Sequence, residues 1–240
     1  DSRASLCNAP IFSGAHDIYE QVGRPDVCIH LAWRDGFVHN SDAHMEDLSK
    51  HIRFCNDIMR GGLPSLSVMG SMHEIGYWEG AINERTPCNP QNQYGIVKNA
   101  MRQSLMLSSK STKCALHWLR AFYVVSNEAN GSSIFAKIAQ ASAEGKKEFP
   151  FTTGKNQYDF IDIEKLADMI SIASMQTEIN GIVNVCSGMP ESLANRVERF
   201  IKENKFDIKL MYGSFPDRSY DSPGVWGEAD LIQKIMTRSR

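Results

Sequence analysis

Ser65–Lys98, SLSVMGSMHEIGYWEGAINERTPCNPQNQYGIVK, is the stretch whose reading decides the fold. Ser65 to Met69 reads as a buried strand that delivers Gly70 and Ser71 to its carboxyl end. After the proline-rich approach TPCNPQNQYG, a helix is predicted to open at about Gln93 and to carry Tyr94 and Lys98. A separation of four places the phenol and the ammonium on one helical face, one turn apart. A free tyrosine titrates near ~10 and exchanges protons poorly at neutral pH, and a neighbouring ammonium stabilises the phenolate. Lys98 is therefore expected to lower the pKa of Tyr94 toward a working range. With Ser71 holding a substrate oxygen, Tyr94 could give or take its proton, which is general acid and base chemistry on an alcohol or ketone. No side chain carries the hydride such chemistry must also move; that requires a nicotinamide. Tyr and Lys four apart are common on helices, so the weight lies in the serine placed upstream.

Working outward, Asp26 to Trp33 (DVCIHLAW) is nearly continuous apolar sequence, the pattern of a strand buried on both faces of a parallel sheet. Ala9 to Ser13 reads as a further short strand, and HDIYEQVGRPD as a helix ending before Gly23. Ala43 to Arg60 is a long helix with Leu48, Ile52, Cys55 and Met59 at inward spacing, stopped by Gly61-Gly62. The Tyr94 helix continues through MRQSLMLSSK with Met101 and Leu105 as core anchors. Cys114 to Phe122 is the next buried strand. Beyond it come a helix from Ser133 through Ala143, a strand over Phe149 to Thr153, and a strand entering a helix in NQYDFIDIEKLADMISIASM. Gly181 to Cys186 is a strand, Glu191 to Asn204 an amphipathic helix, Lys209 to Tyr212 a short strand, and a terminal helix closes the chain. Strands alternating with helices imply an α/β fold with a doubly wound parallel sheet, whose ligands lie outside the carboxyl ends of the strands.

Composition narrows the partners. A formal net charge of -2 offers no basic surface for nucleic acid, and no apolar run approaches the ~20 residues that span a bilayer. The six cysteines are scattered without Cys-x-x-Cys or clustered spacing, which reads as reduced core residues of a cytoplasmic protein. His39, Asp42 and His44 lie in a turn-rich segment with no evident third ligand, so no metal is assigned and a loop near a substrate mouth is expected.

A serine at a strand end, then Tyr-x-x-x-Lys on a helix with Gly95 directly after the tyrosine, resembles the extended short-chain dehydrogenase/reductase family of nucleotide-sugar epimerases, dehydratases and reductases. The resemblance runs from about residue 9 to 236. It implies a Rossmann-type domain over 1–125 with parts of 155–190, and a smaller α/β substrate lobe from 126–154 and 190–240. That family opens with a strand and a Gly-x-x-Gly-x-x-Gly turn, so a strand-helix-strand of about 40 to 50 residues is expected before Asp1. The cofactor implied is NAD or NADP, contacted by Leu31, Ala32, Trp33, Phe122, Tyr94 and Lys98. Ser71, Tyr94, Lys98 and His73 are the implied catalytic set. Substrate contacts are carried over to Ser71, Met72, His73, Tyr123, Tyr158, Arg218 and Asp221. Tyr158 stands where relatives place an arginine on the sugar-nucleotide phosphates, and Tyr123 where they often have asparagine. Relatives pair through the helices equivalent to Ala43–Arg60 and Tyr94–Lys110, which implies a homodimer.

The two residues after Ser71 bear on the reaction. Sugar-nucleotide 4,6-dehydratases of the family carry an Asp-Glu pair there, and this chain has Met72 and His73, which disfavours a dehydratase. His73 falls where relatives that epimerise and reduce a 4-keto-6-deoxysugar place an acid/base group, with Glu74 beside it. The implied activity is reduction, with or without epimerisation, of a 4-keto-6-deoxyhexose nucleotide. The alternatives are a nucleotide-sugar 4-epimerase and a non-catalytic nucleotide-sugar or cofactor sensor of the same fold.

Overall fold

The structure, a computed structural model, describes residues 3–126, 131, 133–217 and 221–238. In chain order its elements are α1 (Ile18–Gln21), β1 (Val27–His30), α2 (Ala43–Arg60), β2 (Ser65–Ser71), a 3₁₀ turn (Met72–Glu74), β3 (Gly80–Ile82), α3 (Gln93–Ser109), β4 (Ala115–Ala121) and β5 (Tyr123–Val125). There follow α4 (Ile134–Ala143), β6 (Glu148–Pro150), β7 (Gln157–Asp162), α5 (Ile163–Ser174), β8 (Gly181–Val185), β9 (Pro190–Ser192), α6 (Leu193–Glu203), β10 (Lys209–Met211), β11 (Gly224–Gly227) and α7 (Asp230–Arg238).

The central sheet is parallel throughout, in the order β1-β2-β4-β8. Side-chain alternation feeds two separate cores. Leu66 and Val68 of β2 and Leu116 and Trp118 of β4 pack with Phe54, Cys55 and Ile58 of α2 and Met101 and Leu105 of α3. Leu119 of β4 and Val183 and Val185 of β8 pack instead with Met169, Ile170 and Ala173 of α5 and Ile232 and Ile235 of α7. Helices thus cover both faces, and each fully buried aliphatic side chain contributes roughly 1.5–3 kcal/mol. The small polar residues of β2 let α5 approach closely: the Ser65 hydroxyl donates to the Ser174 carbonyl at 2.8 Å, and the Ser174 hydroxyl to that of Ser67 at 2.8 Å.

A second sheet runs β3-β11-β7-β5 with β9 antiparallel to β7, and β10 pairs β6. A third apolar cluster joins Phe135 and Ile138 of α4, Val197 and Phe200 of α6, Phe151, and Leu210 of β10.

Three expected strands differ from the structure. The one expected over Phe149–Thr153 is Glu148–Pro150, and Phe151 beyond it bonds instead to Met211 at the end of β10 and to Phe215 of the loop that follows. Residues 9–13 form turns, with the Ile11 amide on the Ala9 carbonyl and the Ser13 amide on the Pro10 carbonyl, and among the described residues no strand pairs with them. The strand expected over residues 26–33 pairs only at Val27–His30, and only with β2. As the sheet's edge among the described residues it is not buried on both faces: Ile29 is 39% exposed and Leu31 57%.

Candidate active site

The parallel register sets the site. His30 lies opposite Val68, and Ser71 opposite Ala121, itself opposite Val185. Residues just past these positions, Leu31–Trp33, Met72–Glu74 and Phe122, therefore follow one another along the carboxyl edge of the sheet. The amino end of α3 docks onto that edge. The Asn92 side chain caps it by accepting the Gly95 amide at 2.8 Å, and the Tyr94 amide donates to the His39 carbonyl at 2.9 Å. Gly95 is required by contact: a Cβ there would sit 2.3 Å from the His73 carbonyl oxygen. Glycine after the tyrosine is what lets the helix reach the turn bearing His73.

Ser71, Tyr94 and His73 are brought together. The Ser71 side chain is near enough to the Tyr94 phenol to oppose the rise of its pKa, and the Ser71 hydroxyl accepts the His73 amide at 3.3 Å. The His73 ring lies edge-on to Tyr94 at 5.8 Å, and His39 stacks on Tyr94 at 5.7 Å while standing 4.4 Å from His73. Burial, with His39 close by, pushes the His73 imidazole down to about 4, so it is neutral at physiological pH.

Lys98 corrects one expectation. It lies below the phenol, with Nζ 5.7 Å from the Tyr94 ring, and donates to the Met69 carbonyl at 2.8 Å while sitting 3.6 Å from the centre of the Trp33 ring. The expected lowering of Tyr94 is not found. Burial holds the phenol above the usual tyrosine range, Ser71 opposes that shift, and the Glu74 carboxylate adds to it. Lys98 itself is pushed down to about 7 by burial, against the pull of Glu74. The ammonium points at a carbonyl and an indole face rather than at the phenolic oxygen.

Trp33 is half-buried in a histidine-rich wall. Its indole N–H donates to His44 Nδ1 at 3.2 Å, which leaves the His44 proton on Nε2 to be donated to the Val38 carbonyl at 3.0 Å. His51 stacks on Trp33 at 4.7 Å and meets His30 nitrogen to nitrogen at 3.1 Å. Desolvation depresses both His30 and His51 to about 4. His44 is thus engaged within the loop and helix, and among the described residues no three histidine, cysteine or acidic side chains converge as metal ligands.

The remaining sequence candidates divide. Leu31 and Ala32 are exposed at the end of β1, offering backbone and a small side chain to anything lying on the sheet edge. Met72 and Phe122 are buried core residues, and a Cβ on Gly227 would strike the Phe122 ring at 2.8 Å. Tyr123 and Tyr158 pack together at 4.3 Å between ring centres on β5 and β7. Asp221 is half-buried ahead of β11, and Arg218 lies outside the described residues.

Two buried carboxylates take structural places: Asp159, which was not anticipated, and Glu74, which the sequence set beside His73 as a candidate acid/base group. Asp159 accepts the Ser187, Gly188 and Gly227 amides at 2.7, 2.9 and 3.2 Å, tying the loop after β8 to β11. Glu74 is fully buried and closes a capping box with Ser71. The Ser71-x-x-Glu74 spacing carried that second signal.

The donor set suits a nicotinamide cofactor. Lys98 carries three N–H groups; one donates to the Met69 carbonyl and the Trp33 ring faces the same nitrogen, which leaves donor capacity for a ribose hydroxyl. That chemistry fits the nicotinamide half of such a cofactor.

A sequence model of the NAD dependent epimerase/dehydratase family matches residues 7–186, and the chain belongs to that family. It is 42% identical over 207 residues to a dTDP-6-deoxy-L-talose 4-dehydrogenase (NAD(+)) of Aggregatibacter actinomycetemcomitans, covering 86% of this chain and 76% of the relative. Among solved structures it is similar to a UDP-glucose 4-epimerase of Thermotoga maritima with UDP-glucose, at TM-score 0.79 and 16% identity over 98% of this chain and 78% of that one. It is also similar to RMD from Pseudomonas aeruginosa complexed with NADPH, at TM-score 0.75 and 17% identity over 89% and 75%. At such identities the structural likeness establishes the doubly wound α/β fold, in agreement with the sequence expectation.

Proposed function

We propose that the chain is an NAD(P)-dependent oxidoreductase that interconverts the C4 hydroxyl and ketone of a nucleotide-activated 6-deoxyhexose. The observation that carries this reading is the meeting of Ser71, Tyr94 and His73 on one sheet edge with Lys98 beneath them. The 42% identity to a dTDP-6-deoxy-L-talose 4-dehydrogenase supports the substrate class. Bound nicotinamide supplies or accepts the hydride. Ser71 holds the C4 oxygen, and Tyr94 hands its proton to that oxygen or takes it back. A phenol raised by burial is protonated at neutral pH, which favours donation to a ketone as it becomes an alcohol. Neutral His73 accepts a proton from the carbon next to the ketone in any epimerisation. Lys98 holds the nicotinamide ribose, with Leu31, Ala32 and Trp33 along the cofactor and Phe122 behind it.

The same reading places the cofactor on residues 1–125 with parts of 155–190, and the sugar nucleotide against 126–154 and 190–240, near Tyr123, Tyr158 and Asp221. It describes a cytoplasmic homodimer. No helix among the described residues is long and apolar enough to cross a membrane, and the six cysteines are free. Exposed Met45 on α2 and Ile96 and Leu107 on α3 supply apolar surface for pairing, which light scattering in solution tests.

The test of the activity offers dTDP- and UDP-6-deoxyhexoses with NAD+ and NADP+ and follows reduced nicotinamide. Turnover with one sugar nucleotide is expected. Binding of sugar nucleotide or cofactor without turnover would favour the sensor reading instead.

A further inference from the structure

Glu74 has no exposed surface and is not used by the chemistry described above. One carboxylate oxygen, Oε1, accepts the Ser71 amide at 2.7 Å and the Trp118 indole N–H at 2.8 Å. The other, Oε2, makes no hydrogen bond and faces Arg102 Nε at 3.3 Å and Arg120 Nη2 at 3.6 Å. Space for it is cut from the backbone: a Cβ on Gly70 would stand 2.7 Å from Oε1 and 2.2 Å from Trp118 Nε1. Arg120 carries the contact onward, donating to the Asn83 carbonyl at 3.2 Å and the Asn184 side chain at 3.4 Å, while Asn184 donates to the Ile82 carbonyl at 2.7 Å. One carboxylate thereby joins the Ser71 end of β2, the body of α3 behind Lys98, β4, and β3 of the second sheet.

A buried carboxylate costs free energy unless its lone pairs and charge are matched, so a purely apolar filling would be the cheaper way to pack this space. We propose that Glu74 is a positioning residue for the Ser71–Tyr94–Lys98 centre: it fixes the Ser71 backbone through its hydrogen bond and, through Trp118, Arg102 and Arg120, holds β4 and the turn of α3 that follows Lys98 against the end of β2. Its charge also reaches the centre, since Glu74 raises both Lys98 and Tyr94. The other titratable groups facing Lys98 are Cys55 and His51 of α2, His30 of β1 and Tyr94 of its own helix. Both histidines are neutral near pH 7, and burial holds Cys55 as a thiol. The proposal rests on the functional reading above only for its catalytic consequence.

The experiment separates geometry from charge on the full chain. In Glu74→Gln the amide oxygen can still accept the Ser71 and Trp118 N–H groups, but the charge is gone; Glu74→Ala removes both. Amide hydrogen exchange at Ser71 should stay slow in Glu74→Gln and quicken about tenfold or more in Glu74→Ala. The Lys98 titration midpoint, followed by NMR of labelled lysine, should fall to lower pH in Glu74→Gln. With it, kcat should drop about tenfold at mildly alkaline pH while KM for the sugar nucleotide holds. If Glu74→Gln does not fold, Glu74→Gln/Arg102→Gln removes one guanidinium with the carboxylate and is read the same way. An unmoved Lys98 midpoint, or unchanged Ser71 exchange in Glu74→Ala, overturns the proposal. If the wild-type protein turns over no nucleotide sugar, the functional reading fails, and the titration and exchange still decide the role of Glu74.

Discussion

The ends of β1 and β2 are neighbours in one parallel sheet and are built in opposite ways. Six of the seven residues of β2 are buried and the other is half-buried, and the strand runs into a capped turn in which Ser71, His73 and Glu74 hold one another. β1 has an edge register, one buried residue, and an exposed continuation through Leu31 and Ala32. The difference teaches how the site divides its labour. On the proposed reading, the end where a proton would move is fixed by packing and by hydrogen bonds within the turn. The end proposed for the cofactor offers backbone, a small residue and one ring, Trp33, which is held by histidines.

Substitutions should break the two ends unequally. The largest effect is expected from Tyr94→Phe, which removes the phenolic proton and should lower kcat by about 10²–10⁴-fold while sugar-nucleotide binding, read by thermal shift, is kept. Ser71→Ala should cost about 10²-fold in kcat with little change of fold, as loss of a fixed hydrogen-bond donor does. Gly70→Ala forces a methyl into Trp118 and Glu74 and should destabilise the protein by about 1–3 kcal/mol in urea unfolding. On the β1 side, Leu31→Ala should shift stability by less than ~0.5 kcal/mol, because the side chain is 57% exposed. Equal losses from Gly70→Ala and Leu31→Ala would erase the contrast.

pH sharpens the same comparison. His30, His51 and His73 bind their protons less readily when folded, near 4, than the ordinary imidazole value near 6.5. Between those limits the unfolded chain holds more protons, so the histidines' contribution to stability should be full above about pH 6.5 and should fall as pH drops toward 4. Lys98, depressed to about 7 from 10.5, acts in the same sense at higher pH: the penalty of its burial is relieved as pH rises through 7. Urea midpoints measured across this range should rise with pH through both windows, and a flat profile between pH 4 and 6.5 would mean the histidines are not buried as described.

Much of this was legible in the chain. Helix α2 has the bounds read from its apolar spacing, and α3 opens at the expected Gln93. The strands of the central sheet that pair on both sides, β2 and β4, announced themselves as buried strands in the sequence. What periodicity could not give were β3, β5, β9 and β11, three or four residues each and too short to show a repeat. Apolar sequence around residues 9–13 was mistaken for a strand because burial against α2 and pairing in a sheet leave the same trace in composition. In the site, residue types and spacing placed Ser71, Tyr94 and Lys98 together, but the direction of the Lys98 ammonium depends on Trp33 and Met69, which lie far away in sequence. Arg102 and Arg120 stand well beyond any local motif from Glu74, so that ion network could be seen only in three dimensions.

The most direct test uses a sugar nucleotide carrying deuterium on C4 of the 6-deoxyhexose, incubated with the intact protein and oxidised cofactor, with the products read by mass spectrometry. The account predicts that the label arrives on the reduced nicotinamide with the wild-type protein and stays on the sugar with Tyr94→Phe. Label that remains on the sugar in both, or that passes to the nicotinamide equally well without the phenol, would contradict it.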